Sequence, residues 1–261
     1  MGEKRGSKAT PEKWTVSPDS TERFSTGIPD LDRLLGGGLR RGSLALCNLD
    51  ATVDPTDHEL LLTPMLLNFL HQSNGVIAVL PSRQSPHAFR AHLTRWVSRR
   101  RFDSRVRVVD YVGEDSGAPY VVGIDGGSAT KGSPKARRLR GRADMAKMQL
   151  AETAVRGARS RMFLEMMAFE IAEILFGPEK AGRMFLHGIK RTREVGNLCL
   201  GMLRPGLGCG DTVRGMADIE FTLHRDDLGL GLRGIRPRFP NHLVAFEPQR
   251  GEPYVSLTRA P

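Results

Sequence analysis

Six basic residues crowd one short stretch of the sequence and could hold the phosphates of a nucleic acid. They lie within twelve positions that contain no acidic residue: Lys131, Lys135, Arg137, Arg138, Arg140 and Arg142. Each phosphate that such a residue neutralises releases bound counterions, so the stretch can supply salt-dependent affinity. Tyr120 is the nearest aromatic residue, which gives little support for base stacking. The stretch predicts either a nucleic-acid-binding segment or a solvated insertion.

The stretch Ser25–Leu70 has the layout of the approach to a phosphate-binding loop, but the loop sequence is absent. A P-loop follows a strand with G-x-x-x-x-G-K-[ST]: backbone N–H groups cradle phosphate, the lysine neutralises it and the hydroxyl holds Mg²⁺. Ser43–Asn48 has the apolar character of a strand, and residues 49–62 contain neither glycine nor lysine. Four acidic residues of this loop would repel phosphate: Asp50, Asp54, Asp57 and Glu59.

Residues 27–43, GIPDLDRLLGGGLRRGS, carry a resemblance to a known family. They reproduce the pattern GIPxLDxLLGGGxxxGS that leads into the first core strand of RecA/RadA and KaiC-like ATPases. Within this approach motif, we expect Asp30 to cap a short helix that carries Leu31, Leu34 and Leu35 on one face. The glycines at 36–38 are expected to take positive φ angles beyond the end of this helix. The alternative is an ordinary capped helix followed by a turn.

The resemblance also assigns positions for the phosphate-binding residues. It aligns MLLNFL, residues 65–70, with a helical segment of the family, which puts Thr63 at the P-loop threonine and Leu62 at the lysine. Thr63 is then expected to be the N-cap and Pro64 the first residue of this helix. The loop before it would be longer than the family's. Thr56 is a second match for the threonine, and it too lacks a neighbouring lysine.

The catalytic carboxylates of the family are replaced as well. Where KaiC-like members have EESP, with glutamates that polarise the attacking water, this chain has Arg83-Gln84-Ser85-Pro86. Neither Arg83 nor Gln84 can accept a proton as a carboxylate does. Glu165 aligns with the Walker B aspartate that ends an apolar strand, and its interpretation stays open between structural retention and weak Mg²⁺ binding. ATP and Mg²⁺ are therefore conceivable cofactors that the sequence disfavours.

Two further segments match functional positions of the family. Arg236, Arg238 and His242 resemble the K-x-R-x-x-x-H pattern whose basic residues reach the nucleotide of the adjacent subunit. With Thr63, Arg83 and Gln84 they would form a remnant nucleotide site. Residues 204–215 occupy the position of a DNA-binding loop in RecA-like recombinases, where Arg204 and Arg214 could touch a nucleic-acid backbone. A plain glycine-rich flexible loop explains this segment as well.

The remaining elements follow the order of the family. Apolar runs predict strands at Gly75–Leu80, Arg105–Val112 and Asn197–Leu203. Helices are expected at about 86–101 with Ser85 as N-cap, at about 143–157, and at 168–176 and 179–195 on either side of Gly177-Pro178. The tail 217–261 reads as antiparallel strands. We predict an α/β fold, a RecA-like mainly parallel sheet flanked by helices, with a polar leader at 1–22, one domain at 23–261 and a flexible Gly/Ser/basic insertion at about 113–142.

Length and composition agree with one large globular domain. The 261 residues are 39% hydrophobic and 26% charged, and the formal net charge of +10 favours acidic partners, nucleic acid first. No stretch approaches the ~18 apolar residues of a membrane span and no secretory signal is evident, so we expect a cytoplasmic protein without a membrane partner. Cys47, Cys199 and Cys209 are odd in number and lack paired metal spacing, which argues against disulfides and zinc.

The leading interpretation is a pseudo-ATPase, a RecA/KaiC-like paralogue that acts as a regulatory or assembly subunit, with association with DNA left open. Family members build rings or filaments in which one subunit completes its neighbour's site, so the resemblance implies a homo- or hetero-oligomer of RecA/KaiC-like subunits. Two alternatives stay open. One is an ATP-binding enzyme with a rebuilt phosphate loop, in which Arg83 substitutes for the missing lysine. The other is a DNA-binding module that uses the basic insertion.

Overall fold

A computed structural model describes residues 18–54, 57–72, 74–80, 85–109, 121–122, 163–246 and 254–261. Its strands are β1 Arg23–Phe24, β2 Leu39–Arg40, β3 Leu44–Leu49, β4 Gly75–Val79, β5 Val106–Val109, β6 Val121–Val122, β7 Phe163–Ala168, β8 Leu198–Leu203, β9 Ile219–Asp226, β10 Gly229–Arg236, β11 Phe239–Phe246 and β12 Val255–Arg259. Its helices are α1 Pro29–Leu34, α2 Asp57–His71, α3 Pro86–Leu93, α4 Arg99–Arg105, α5 Phe169–Phe176, α6 Pro178–Val195 and α7 Gly210–Met216.

The described strands form one large sheet beside the small β1–β2 pair. Its order is β12-β11-β10-β9-β3-β8-β7-β4-β5-β6. The strands from β9 through β3 to β6 run parallel, whereas β9, β10, β11 and β12 pair antiparallel. The prediction of a mainly parallel sheet with a C-terminal antiparallel extension is confirmed.

Helices cover both faces of the sheet, as the alternation of β3 shows. Leu44 and Leu46 belong to the core cluster under α5, α6 and α7, whereas Ala45 and Cys47 belong to the larger cluster under α1, α2 and α3. Strands that are buried on both faces read as continuous apolar runs, which is the pattern of β3, β4 and β8. The three cysteines are free and buried, and burial raises the pKa of the Cys47 thiol to about 12.

The approach motif is a compact structural unit built around Asp32. The Asp32 carboxylate accepts hydrogen bonds from the Ser25 hydroxyl at 2.6 Å and from the Thr26 hydroxyl and N–H at 2.7 and 2.8 Å. The expected positive φ angles at 36–38 are confirmed. The expected cap is wrong: α1 begins at Pro29 with Ile28 at the N-cap and no side-chain cap, because Asp30 lies inside the first turn. Asp30 instead accepts a hydrogen bond from the N–H of Leu257.

A glycine lets the approach motif pack directly on α2. Gly27 has φ +75°, and a Cβ there would lie 2.9 Å from the carbonyl oxygen of Pro64 and 2.7 Å from Cβ of Asn68. Asn68 in turn donates from Nδ2 to the carbonyl of Ser25 at 3.1 Å. This contact fixes the approach motif against α2.

Several predicted boundaries are wrong. Helix α2 begins at Asp57 and runs through Pro64, so Thr63 and Pro64 do not open it. The helix expected at about 86–101 is two helices, α3 and α4, each capped by a serine side chain, Ser85 and Ser98. Half of the loop expected at 204–215 is helical, since α7 begins at Gly210. The break between α5 and α6 at Gly177-Pro178 is confirmed.

The described end of the predicted leader is bound to the domain. Asp19 accepts a hydrogen bond from Nε2 of Gln72 at 2.9 Å, and its own N–H donates to Oε1 of the same residue. The boundary at residue 22 stays a prediction. The insertion at about 113–142 and the helix expected at about 143–157 lie outside the described residues, apart from the two residues of β6. Among the described helices, none has the length and apolarity required to cross a bilayer.

Candidate functional site

The loop between β3 and α2 lies at the carboxyl ends of the parallel strands. Strand β3 ends at Leu49 and α2 begins at Asp57. In open α/β sheets, ligands bind outside the carboxyl ends of the strands, where the chain turns into helices. This loop is therefore the candidate functional site. It is also shorter than the sequence predicted, because α2 begins at Asp57 rather than at Thr63.

Backbone N–H groups of this loop donate to acceptors in the loop itself. Thr52 N–H donates to Oδ1 of Asp50 at 3.0 Å, and Asp54 N–H donates to Oδ2 of Asp57 at 3.0 Å. Val53 N–H donates to the carbonyl of Asp50 at 3.1 Å, and Asp57 N–H to that of Asp54 at 3.0 Å. A P-loop instead presents its N–H groups to phosphate. Here two carboxylates and two carbonyls occupy these donors.

An ion pair with β9 holds the loop closed. Arg225 donates from Nη2 to Oδ1 of Asp57 at 2.7 Å and from Nε to Oδ2 at 3.2 Å. Its N–H donates to the Thr52 hydroxyl at 3.0 Å. The hydrogen bond and the charge of Asp57 raise the pKa of Arg225. A bidentate arginine–carboxylate pair fixes both partners in orientation, so Arg225 is committed to an aspartate of the same chain.

Behind the loop lie a buried histidine, His58, and an ion pair between Arg204 and Glu170. His58, the second residue of α2, is 4% exposed, and burial, followed by the charge of Arg204, lowers its pKa to about 4. Its imidazole is therefore neutral at pH 7. Within the described residues, Nδ1 of His58 has no hydrogen-bond partner. Arg204, which follows β8, lies 3.6 Å from Oε2 of Glu170 at the start of α5.

The described residues contain no group of three or more His, Cys, Asp or Glu side chains placed to hold a metal ion.

The structure places Thr63 away from the position that was predicted for it. Thr63 lies in the second turn of α2, is 4% exposed, and its hydroxyl is 2.8 Å from Nε2 of His92 on α3. Leu62 beside it is also buried. Neither residue lies in the loop, so the predicted match to the P-loop lysine and threonine is wrong. The alternative match, Thr56, lies outside the described residues.

Glu165 does not end its strand, contrary to the prediction. It lies in the first half of β7, in register with Ile77 of β4 and Cys199 of β8. Cys199 is in turn in register with Leu44, the first residue of β3. The loop follows Leu49, five residues further along, which corresponds to about 16 Å at the rise of a strand. The role of Glu165 as a metal ligand stays a prediction.

The structure gives Arg236, Arg238 and His242 different surroundings. Arg236 donates from Nη2 to Oε2 of Glu220 at 2.7 Å and to the carbonyl of Arg214 at 2.8 Å. Glu220 is buried and accepts a second hydrogen bond, from Asn48, at 2.9 Å. Arg238 is exposed in the turn after β10, whereas His242 is 8% exposed and its Nδ1 lies 2.7 Å from the carbonyl of Pro240. Of the three, Arg238 alone is an exposed cation with no ion pair in the described residues.

The predicted nucleic-acid residues are only partly within the described structure. Arg204 pairs with Glu170, and Arg214 pairs with Asp211 at 2.7 Å in the same turn of α7. Glu173 accepts the N–H groups of Gly208 and Cys209 at 2.9 Å, which holds this segment in place. The other predicted site residues lie outside the described residues: Arg83, Gln84, Lys131, Lys135, Arg137, Arg138, Arg140 and Arg142. Their roles stay predictions.

Comparison with known proteins finds sequence likeness over part of the chain. The model of a family described as GvpD basic region 2 matches residues 13–121. Protein GvpD1 of Halobacterium salinarum is 36% identical over 106 residues, which are 40% of this chain and 20% of that protein. Protein GvpD2 of the same organism is 35% identical over 97 residues, 37% of this chain and 20% of that protein. The matched part thus spans a fifth of the length of these curated relatives.

Comparison of structures covers nearly the whole chain. An uncharacterized protein of Pyrococcus horikoshii, crystallised in complex with an unknown peptide, matches 91% of this chain and 100% of its own with a TM-score of 0.59 at 17% identity. A KaiC-like protein of the same species matches 92% of this chain and 99% of its own with a TM-score of 0.58 at 13% identity. The fold is RecA-like.

Within this RecA-like fold, the sequence does not identify Asp57 and Arg225 as the residues that close the loop. The sequence places Asp57 in a loop that repels phosphate, whereas in the structure it opens α2 and pairs with Arg225, 168 residues away. A local signal was available for the helix start, since the apolar run of α2 begins with Leu60 and Leu61, before the Thr63-Pro64 pair. No local signal marks the partnership of Asp57 with Arg225.

Proposed function

We propose that this RecA-like chain acts as a regulatory or assembly subunit and does not hydrolyse nucleoside triphosphates. The observation that carries the proposal is the closed loop after β3, whose N–H groups donate to Asp50, Asp54 and Asp57. A triphosphate at this loop would have to displace these carboxylates and carbonyls from the donors. It would also meet the charge of the carboxylates at close range, where like charges repel strongly.

The charge around the loop supports the same proposal. In the loop residues that the structure describes, and at the first turn of α2, the charged side chains are acidic: Asp50, Asp54, Asp57 and Glu59. Arg225, which contacts Asp57, is bound to it in a bidentate pair. Phosphoryl transfer depends on positive charge that neutralises the developing charge of the transition state. A loop with this balance of charge supplies the opposite electrostatic environment.

The test of the proposal is equilibrium binding of labelled ATP with Mg²⁺ to the purified protein. We expect no saturable binding up to about 1 mM nucleotide, which corresponds to a binding free energy weaker than about −4 kcal/mol. A RecA-like ATPase with an intact P-loop serves as the positive control. Micromolar binding that Arg83→Ala abolishes would reject the proposal and favour the alternative, an ATP-binding enzyme in which Arg83 substitutes for the missing lysine.

Contact with an active RecA-like subunit is the second part of the proposal. The likeness to GvpD1 and GvpD2 and the RecA-like fold support a partner of the same class. The residue that could reach such a partner's nucleotide is Arg238, since Arg236 is held by Glu220 of its own chain. In a mixture with an active RecA-like ATPase, Arg238→Ala is expected to lower the ATPase rate of the partner. Arg233→Ala, on the exposed side of β10, is the matched control, and equal rates for both variants would reject this role.

A further inference from the structure

Helices α3 and α4 and the turn between them form the most basic segment that the structure describes. Residues 85–109 contain seven arginines and one acidic residue, Asp103. Exposed arginines lie in the connecting turn and at the start of α4: Arg95, Arg99 and Arg100. We call these three residues the α3–α4 arginine surface. It is separate in sequence from the basic insertion and from the loop after β3.

Most of the neighbouring arginines have structural roles. Arg90 donates from Nε and Nη2 to the two carboxylate oxygens of Asp103 at 3.0 and 2.9 Å. Arg107 donates to the backbone carbonyls of Asp103 and Val106 at 2.7 Å. Arg101 lies 2.9 Å from Nδ1 of His71 at the end of α2. The single carboxylate of the segment is therefore already occupied by Arg90.

The arginine surface has no such partners. Arg95, Arg99 and Arg100 are exposed and form no ion pair or side-chain hydrogen bond with the described residues. Close by, burial and then the charge of Arg101 lower the pKa of Arg105, and the same two causes lower that of His71. Positive charge is thus crowded here, and within the described residues Asp103 is the one acidic side chain of the segment. Such crowding gives the fold no stability, and a polyanion would relieve it.

The surroundings of this surface favour a nucleic acid over a protein partner. The large hydrophobic side chains that are exposed in the described residues lie elsewhere: Ile174, Leu186, Val195, Leu228, Ile235 and Phe246. Protein interfaces have an apolar centre with a polar rim. Nucleic-acid interfaces are polar and strongly positive, and most of their contacts go to phosphates. Exposed arginines without exposed apolar neighbours match the second description.

We propose that the α3–α4 arginine surface binds the phosphate backbone of double-stranded nucleic acid without sequence preference. Arg99 follows Arg95 by four positions, so their Cα atoms are at most about 14 Å apart. At about 3.4 Å per phosphate along one strand, this span faces about four phosphates. Arginine is suited to this role, because its planar fork can donate two hydrogen bonds to one phosphate. The proposal does not depend on whether the loop after β3 binds a nucleotide.

The experiment measures binding of the full chain to a fluorescently labelled duplex DNA of scrambled sequence over a range of salt concentrations. The triple variant Arg95→Ala/Arg99→Ala/Arg100→Ala is expected to bind at least about tenfold more weakly at low salt, with a salt slope smaller by about 3, one for each lost phosphate contact. Its thermal unfolding should match that of the unaltered protein, since the three side chains form no ion pair or side-chain hydrogen bond with the part of the chain that the structure describes.

The matched control removes the same charge from exposed arginines elsewhere, Arg33→Ala/Arg183→Ala/Arg233→Ala. This control should keep the DNA affinity within about twofold, since non-specific net charge acts weakly at a distance in salt. Equal losses in both triple variants would overturn the proposal in favour of net charge alone. An unaffected arginine-surface variant, with binding lost on replacement of the basic residues at 131–142, would move the site to the insertion. Stronger competition by an acidic peptide than by DNA would also overturn it.

Discussion

Arg225 and Arg99 belong to the same RecA-like fold, yet within the described residues Arg225 faces a carboxylate and Arg99 does not. Around β3 and β9, charged side chains are paired: Arg225 with Asp57, and Arg236 with the buried Glu220. In residues 85–109, the single carboxylate, that of Asp103, pairs with Arg90. The residues of the α3–α4 arginine surface, Arg99 among them, have no ion pair with the described residues. The two regions thus treat the same side chain in opposite ways.

This difference separates charges that hold the fold from charges that are available to a partner. Near β3 and β9, the sequence and the family resemblance suggested a nucleotide site, but the structure shows cations that are already bound. On α3 and α4, the sequence suggested only a helix, but the structure shows arginines that are exposed. Net charge alone predicts neither outcome, because it counts both kinds of arginine equally.

Arg236→Ala should produce the largest effect on stability, because it breaks the ion pair with Glu220 in the region around β3 and β9. It would leave the carboxylate of Glu220, which is 5% exposed, with Asn48 as its remaining partner. We expect the free energy of unfolding to fall by about 3 kcal/mol, the lower end of the cost of breaking a buried ion pair, since Arg236 is half exposed. Urea unfolding at pH 7.5 measures it.

The control for this variant is Arg238→Ala, two residues away in the exposed turn. It should change the free energy of unfolding by less than about 0.5 kcal/mol, as exposed substitutions do. Equal losses for both variants would show that Arg236 is not held by Glu220, and the assignment of an interface role to Arg238 alone would lose its basis.

Lowering the pH should destabilise the region around β3 and β9, because His58 gains a positive charge. Burial and the charge of Arg204 hold the pKa of His58 at about 4, against 6.5 in an unperturbed chain. Because the unfolded chain binds more protons between these two values, the contribution of His58 to stability is complete above pH 6.5 and is lost as the pH falls towards 4. Between pH 7.5 and pH 5, we expect a loss on the order of 2 kcal/mol.

The variant His58→Leu isolates this effect from the titration of carboxylates. An apolar side chain at a buried position without a hydrogen-bond partner is tolerated, and it cannot take up a proton. Urea unfolding of both proteins at pH 5, 6, 7 and 7.5 should show a smaller decline for His58→Leu. Identical curves would mean that His58 is solvated and that other groups cause the pH dependence.

Local signals in the sequence predicted much of the fold. The break between α5 and α6 follows from Gly177-Pro178, and the turns of the approach motif follow from the glycines at 36–38. The apolar runs of β4 and β8 are strands because both of their faces are buried. In each case a few adjacent residues determine the local structure, so the helix break, the turns and the strands can be recognised without knowledge of distant contacts.

The start of α2 and the state of the loop could not be predicted in the same way. Thr63-Pro64 has the local form of a helix start, but the apolar residues on both sides bury the helix and carry it through Pro64. The closure of the loop depends on Arg225, which is distant in sequence. Likewise, the roles of Arg90 and Arg107 on α3 and α4 depend on how these helices pack. Tertiary contacts decide which charges are paired, and the sequence does not show them.

Arg100→Ala should produce the smallest effect on stability. Arg100 is exposed and has no ion pair with the described residues, so the free energy of unfolding should change by less than about 0.5 kcal/mol. Arg90→Ala on the neighbouring helix breaks the bidentate pair with Asp103 and should cost about 1 kcal/mol. Urea unfolding at low salt measures both. If Arg100→Ala costs as much as Arg90→Ala, Arg100 is held by the fold, and the α3–α4 arginine surface is no freer than the region around β3 and β9.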